Sequence, residues 1–270
     1  MSQTQIIEGP AVRLFNHPNG PVPAPKWNLG FDLGERQDHS ALVINDIEWQ
    51  SLGRCYTTYA YKFAPILTVR SMERFPLSTG YQNIPLIIAE RVRQINEHQS
   101  KRTPHVPAKI ELVVDAGGPG TPVVEMLRAM APENLTITPV MITSGTGESR
   151  LKGGYHGVPR RDLVTRLIQM IATGCLQCPA SMPNALTWHN ELLSLSRTNT
   201  HPGESGEHDD LTMAAALAAW AATREAPELS PAAATKRPST ASSTSPSSDP
   251  RVDRTARVSK RPSATSRANC

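Results

Sequence analysis

The sequence has little with which to build a disulfide-stapled or aromatic core. Four cysteines in 270 residues (Cys55, Cys175, Cys178 and Cys270) are too few for a disulfide scaffold of this length. Aromatic residues make up only 5%, so the core must be aliphatic and rich in alanine. No run approaches the ~18 apolar residues of a membrane-spanning helix, so no membrane association is expected. Met1–Pro10 has neither the basic nor the apolar stretch of a secretory signal. A reducing, cytoplasmic setting is therefore the expectation.

What is present is an uneven charge distribution. The chain carries 28 Lys+Arg against 24 Asp+Glu, a net +4, with a sequence pI of about 9.0. From Ser230 onward there are eight basic residues (Lys236, Arg237, Arg251, Arg254, Arg257, Lys260, Arg261, Arg267) and two acids (Asp249, Asp253), a net +6. The remainder is therefore at −2. The basic pI belongs to a tail appended to a slightly acidic domain.

Composition divides the chain in three. Residues 1–25 are rich in Pro, Gly and Asn and read as an irregular lead-in. Residues 26–226 hold the apolar periodicity of a folded domain. Residues 227–270 form a basic tail rich in Ser, Pro and Ala; it cannot bury enough apolar surface to offset its chain entropy, so disorder is expected.

Within the domain, Trp27–Leu33, Ser40–Ile47 and Cys55–Phe63 read as three strands in an antiparallel meander. A helix is expected over Ile84–His98, with Ile87, Ile88, Val92 and Ile95 near a helical period. Ile110–Asp115 and Leu135–Ile142 are further strands, separated by a helix at Thr121–Met130 with Pro122 in its first turn. Arg161–Thr173 is a helix with Gly174 at the C′ position, and Pro183–Leu195 and the Ala-rich Asp209–Thr223 follow as helices. Strands first in a meander and then alternating with helices predict an α/β fold, a mixed sheet with helices on its faces.

The residues that bear chemistry are acids at the ends of apolar elements. Asp32 ends the first strand, Asp115 ends a later one, and Asp209 and Asp210 open the last helix. A carboxylate at the tip of a buried strand is costly unless it is hydrogen-bonded or holds a cation. Acids far apart in sequence can converge at one sheet edge, and hard oxygen ligands suit Mg²⁺ or Mn²⁺. Two such ions ~3.5–4 Å apart support phosphodiester hydrolysis. Each acid also has a plainer role: Asp32 and Asp115 as turn formers, Asp209 or Asp210 as a helix cap. One of the last pair acting as ligand while the other caps is a natural division.

Four stretches bear on that choice: GFDLGERQDHSALVI, LVVDAGGPGTPVVEML, GVPRRDLVTRLIQMIATGCL and GEHDDLTMAAALAAW. Over about Leu29–Ala222 they resemble, in the same order, the nuclease domain of tailed-phage terminase large subunits, in the RNase H-like superfamily. The resemblance implies an RNase H-like mixed β-sheet flanked by helices. It further implies a two-metal endonuclease that cuts double-stranded DNA during genome packaging in a bacterial cell carrying the phage or prophage. The family's acids map onto Asp32, Asp115 and the His208-Asp209-Asp210 segment, with Asp209 favoured as the catalytic ligand and Asp210 as a further metal candidate. Asp38 matches a position often acidic in the family, and His208 is an adjacent candidate. Arg160 and Arg161, after Val-Pro, and Lys152, in a Gly-rich stretch, are candidate contacts to the DNA backbone, where basic groups on loops suffice.

The chain departs from a complete terminase large subunit in one respect. No G-x-x-x-x-G-K-[ST] phosphate loop occurs, so no ATPase motor is expected in these residues. A separate ATPase subunit, a small terminase or a portal are then the implied partners. Two other readings stay open: a junction resolvase or transposase-type nuclease of the same superfamily, and an inactive packaging-complex binding module. Cys175-Leu-Gln-Cys178 has the spacing of half a zinc site but lacks a second pair, and reads as apolar filling at a helix end.

Overall fold

The first strand is buried on both faces, from Trp27 through Phe31, so helices must cover the sheet on both sides. The computed structural model describes residues 26–34, 38–102, 104, 108–118, 120–198, 209–224 and 228–229. In β1 (Lys26–Asp32), Trp27, Leu29 and Phe31 point to one face and Asn28, Gly30 and Asp32 to the other. The first face is covered by α1 (Ile84–Arg102) and α2 (Gly120–Met130), in a cluster that includes Ile88, Val92, Ile95, Val124 and Leu127. The second is covered by α3 (Arg160–Ala172), α4 (Ala185–Thr198) and α5 (Asp210–Arg224).

The remaining strands are β2 (Ala41–Arg54), β3 (Tyr61–Arg74), β4 (Lys109–Asp115), β5 (Leu135–Thr143), β6 (Ser149–Arg150), β7 (His156–Pro159), β8 (Leu176–Gln177) and β9 (Glu228–Leu229). Their order is β6-β7-β5-β4-β1-β2-β3-β8, with β9 also beside β3. β2 is antiparallel to both β1 and β3, while β1, β4 and β5 run parallel. The core order 3-2-1-4-5 with strand 2 reversed is the RNase H-like arrangement. The chain leaves β1 on one side through β2 and β3, then crosses through α1 to β4 on the other. The carboxyl ends of β1 and β4 thus lie where the strand order reverses, the usual place for a ligand site in an open α/β sheet.

α5 is the central buried helix. Every residue from Asp210 to Ala222 is buried, against β1 on one side and α3 and α4 on the others. Alanine makes this possible: a helix apolar all round belongs in an interior. The close approach to the sheet falls at Gly30, where an added Cβ would lie 1.9 Å from the Ala214 carbonyl oxygen.

One expectation needs correction. The segment Cys55–Phe63 is not one strand: Cys55–Ala60 forms a tight turn, with Tyr59 at φ 56° and the Cys55 N–H donating to the Ala60 carbonyl at 2.8 Å. Its β-branched and aromatic residues favour a strand, but hairpin closure wins there. The third strand instead runs from Tyr61 through Pro65 to Arg74. Pro65 fits because β8 and β9 pair with β3 only at Leu67–Thr68 and Tyr61–Lys62, which leaves no described strand paired with the outer side at Pro65. The Gly-rich stretch around Lys152 contains the β6–β7 hairpin, whose two-residue arm gives too short a pattern to read. The lead-in and residues 230–270 lie outside the described residues, while β9 carries sheet pairing into the segment assigned to the tail. No helix among the described residues is long and apolar enough to cross a membrane.

Candidate active site

Asp32 and Asp115 end neighbouring parallel strands on the same face. Phe31 pairs with Val114, so the next residue of each strand is one of the two acids. That face is the one α5 covers, since Asp32 lies opposite Ala41 and Asp115 opposite Val140, both in the α5-side core. The contact of Gly30 with Ala214 then sets the register of the helix. Asp32 is two residues beyond Gly30 along the strand, and Asp210 is one turn before Ala214 along the helix. Those displacements, ~6.6 Å and ~6 Å, bring Asp210 level with Asp32.

The electrostatics record the convergence. The Asp32 carboxyl is held well above the usual carboxylate range, first by loss of solvation, then by the charges of Asp115 and Asp210 and, more weakly, Asp38; Arg160 opposes them. Three of the sequence-predicted acids, Asp115, Asp210 and Asp38, therefore act on Asp32 at the carboxyl end of β1. Like charges gathered this way are relieved by a cation.

The turns after each strand are built to leave this edge in place. Asp115 accepts the Gly117 N–H at 2.9 Å, and the Gly120 N–H closes onto the Gly117 carbonyl at 2.7 Å. A Cβ at Gly120 would come 2.6 Å from the Asp115 carbonyl oxygen, so only glycine lets α2 begin so close to the strand. After β1, the Gly34 N–H donates to Ser40 Oγ at 3.1 Å and Tyr81 Oη donates to the Gly34 carbonyl at 2.9 Å.

Asp209 and Asp210 divide their work. Asp209 takes the N-cap position of α5, its carbonyl accepting the Met213 N–H at 2.8 Å, and its carboxylate forms an ion pair with Arg160. Asp210, only 5% exposed, is the one that faces Asp32. The first helical residue, Asp210, thus turns toward the sheet, while the cap residue, Asp209, turns toward Arg160 on α3. His208 lies outside the described residues. Arg160 stands at the site through both Asp32 and Asp209, whereas the neighbouring Arg161 is exposed and pairs with Asp162 at 3.4 Å. Lys152 is exposed in the helical turn before β7.

Two functional candidates were not read from sequence. Arg74, the last residue of β3, contacts Asp210 Oδ2 through Nε at 3.2 Å and Nη2 at 2.9 Å. Its Nη2 also reaches Glu191 Oε1 at 3.2 Å. Glu191 on α4 is buried, and its Oε2 accepts the backbone N–H and hydroxyl of Thr212 at 2.9 and 3.0 Å, capping α5 from outside. Burial pushes the Glu191 carboxyl up, against the pull of Thr212 and Arg74. The available signal was an acid three residues after Trp188 on the stripe that α4 buries.

Among the described residues, no three carboxylate, imidazole or thiol side chains stand together as a finished metal cage. The donor set nonetheless fits Mg²⁺ or Mn²⁺: its oxygens are hard, and the crowding around Asp32 is the kind a cation relieves. Cys175 and Cys178 are free and half-buried, packed against the α5-side core.

The chain is similar in structure to terminase nuclease domains. It aligns with the large terminase nuclease of the thermophilic phage G20c at 18% identity and a TM-score of 0.38, covering 74% of this chain and 84% of that one. It aligns with the human cytomegalovirus terminase nuclease domain at 12% identity and a TM-score of 0.38, covering 73% and 82%. A Mn-soaked, inhibitor-bound form of the latter aligns at 13% identity and a TM-score of 0.37, covering 72% and 82%. No family model and no curated protein sequence matches the chain.

Proposed function

We propose that this protein is a metal-dependent DNA endonuclease of the terminase kind, cutting double-stranded DNA by phosphodiester hydrolysis. The observation that carries the reading is the gathering of Asp115, Asp210 and Asp38 around Asp32 at the carboxyl ends of β1 and β4. Asp32, Asp115 and Asp210 would hold Mg²⁺ or Mn²⁺, two ions in the full form of the reading, with Asp209 and Asp38 at the margin. Bound there, the ions supply an activated water and charge stabilisation for the leaving oxygen.

The chain's own groups have separate tasks. Asp32 is shared by both neighbouring acids and is the central ligand. The Gly117–Gly120 turn keeps side-chain bulk away from Asp115, leaving room for a phosphate to approach. Arg160, paired with Asp209 and acting on Asp32, provides a positive charge at the rim of the site for a DNA phosphate, and Arg161 and Lys152 extend the backbone contact outward. Asp209 holds Arg160 until a phosphate competes for it. A motor ATPase, a small terminase or a portal would be the protein partners, and work in a packaging complex the setting.

The direct test is plasmid nicking by the full chain in Mg²⁺ or Mn²⁺ against EDTA. Metal-dependent conversion of supercoiled to open and linear DNA supports the reading. The absence of cleavage with either metal contradicts it.

A further inference from the structure

Arg74 stands in register with the acid that centres the site. Asp32 pairs with Ala41, and Ala41 pairs with Arg74, so the three lie in one row across β1, β2 and β3, on the face that α5 covers. The middle residue is small, and Asp210 descends from α5 toward this row. The Asp210 and Glu191 side chains are 7% and 6% exposed, while that of Arg74 is 25% exposed. Its guanidinium is thus largely enclosed between two buried carboxylates on different helices.

We propose that Arg74 is a positioning residue that fixes the Asp210 carboxylate for divalent-cation binding, with Glu191 as its anchor on α4. The inference rests on the metal-dependent reading above. One guanidinium reaches Asp210 Oδ2 from two nitrogens and Glu191 Oε1 from one of them, and Glu191 is itself clamped by the Thr212 N–H and hydroxyl. The sheet, α4 and the first turn of α5 are tied together at a single acid. Only a rigid fork spans two carboxylates in this way; an ammonium is a point charge on a flexible stem. Partners that orient a metal ligand typically change metal affinity 10–100-fold when removed.

The sign of the effect separates this role from a purely electrostatic one. A positive charge beside a cation site repels the cation, so if Arg74 acted only as a charge, its removal would tighten metal binding. If it positions Asp210, its removal weakens binding despite the lost repulsion. Arg74→Gln leaves two buried carboxylates without their counter-charge and can unfold the domain. Arg74→Lys keeps the charge and loses the fork, and is therefore the decisive variant.

The experiment is isothermal titration of Mn²⁺ into the full wild-type chain, Arg74→Lys and Arg74→Gln without DNA, with thermal melts to report folding. Arg74→Lys is expected to bind Mn²⁺ about tenfold more weakly than wild type while keeping a cooperative melt, and a folded Arg74→Gln at least as weakly. Unchanged or tighter Mn²⁺ binding by Arg74→Lys, with wild type binding normally, overturns the positioning role alone. A wild-type chain that takes up no Mn²⁺ overturns the metal-dependent reading and this inference with it.

Discussion

Gly30 lies directly under Ala214, so close that a methyl group on the glycine would meet the alanine carbonyl oxygen. This single contact sets how deep α5 sits on β1 and thereby how near Asp210 comes to Asp32. Gly30→Ala should force the helix outward at a cost of about 1–3 kcal/mol, as for other overpacked cores. Because the displaced turn carries Asp210, metal-dependent cleavage should fall further than stability does. Chemical denaturation and a nicking assay on the folded fraction check the two effects separately. Wild-type activity in a destabilised variant would show that this register does not set the site.

Asp32 sits among like charges, with incomplete solvation. In EDTA, Asp32→Asn removes that repulsion and should melt a few degrees above wild type, since each kcal/mol is worth about 2–4 °C in a domain of this size. Mn²⁺ should raise the melting temperature of wild type and leave the variant where it was. Differential scanning fluorimetry with and without metal measures both.

His156 gives the far end of α5 a pH dependence. Its Nε2 lies 3.0 Å from Arg224 Nη1, and Arg224 stacks on Trp220 at 4.6 Å. Loss of solvation, then the Arg224 charge, holds the imidazole below its ordinary range. The unfolded chain therefore binds a proton that the folded chain resists. Stability is fully present above pH ~6.5 and declines as the pH falls from there toward the folded-state value. His156→Gln should flatten this part of the profile, measured as urea midpoints between pH 7.5 and 5.5.

The Cys55 thiol is brought down to about 7, first by its hydrogen bond with the Thr58 side chain. It should be the fastest described cysteine to alkylate at neutral pH, because burial pushes the Cys178 thiol up. Thr58→Ala should slow the reaction and move its pH midpoint upward. Iodoacetamide labelling followed by peptide mass spectrometry reads this directly.

The parts of the fold legible in sequence were short apolar runs buried on both faces and helices buried along one stripe. The apolar run from Trp27 to Leu33, the stripe through Ile88, Val92 and Ile95, and the short run ending at Asp115 all predicted their elements. The turn at Cys55–Ala60 was hidden because its residues also suit a strand. Much of β3 was hidden because Pro65 and the buried Arg70, Ser71 and Glu73 do not look like a core strand. Within the site, the three separated acid positions could be read because each ends an apolar element. Which of Asp209 and Asp210 turns toward the sheet could not, since it depends on how α5 is rotated. Arg74 owes its place to tertiary pairing between β3 and α4, which no local pattern encodes, and Glu191 left only its spacing from Trp188 on the buried stripe of α4.

The central claim is that Asp32 anchors a divalent-metal nuclease site. Plasmid nicking by wild type and Asp32→Asn at equal concentration of folded protein, in Mn²⁺, tests it most directly. Wild type should nick and linearise the plasmid, and the variant should lose at least a hundredfold in rate while keeping its cooperative melt. Cleavage by Asp32→Asn at the wild-type rate would contradict the assignment.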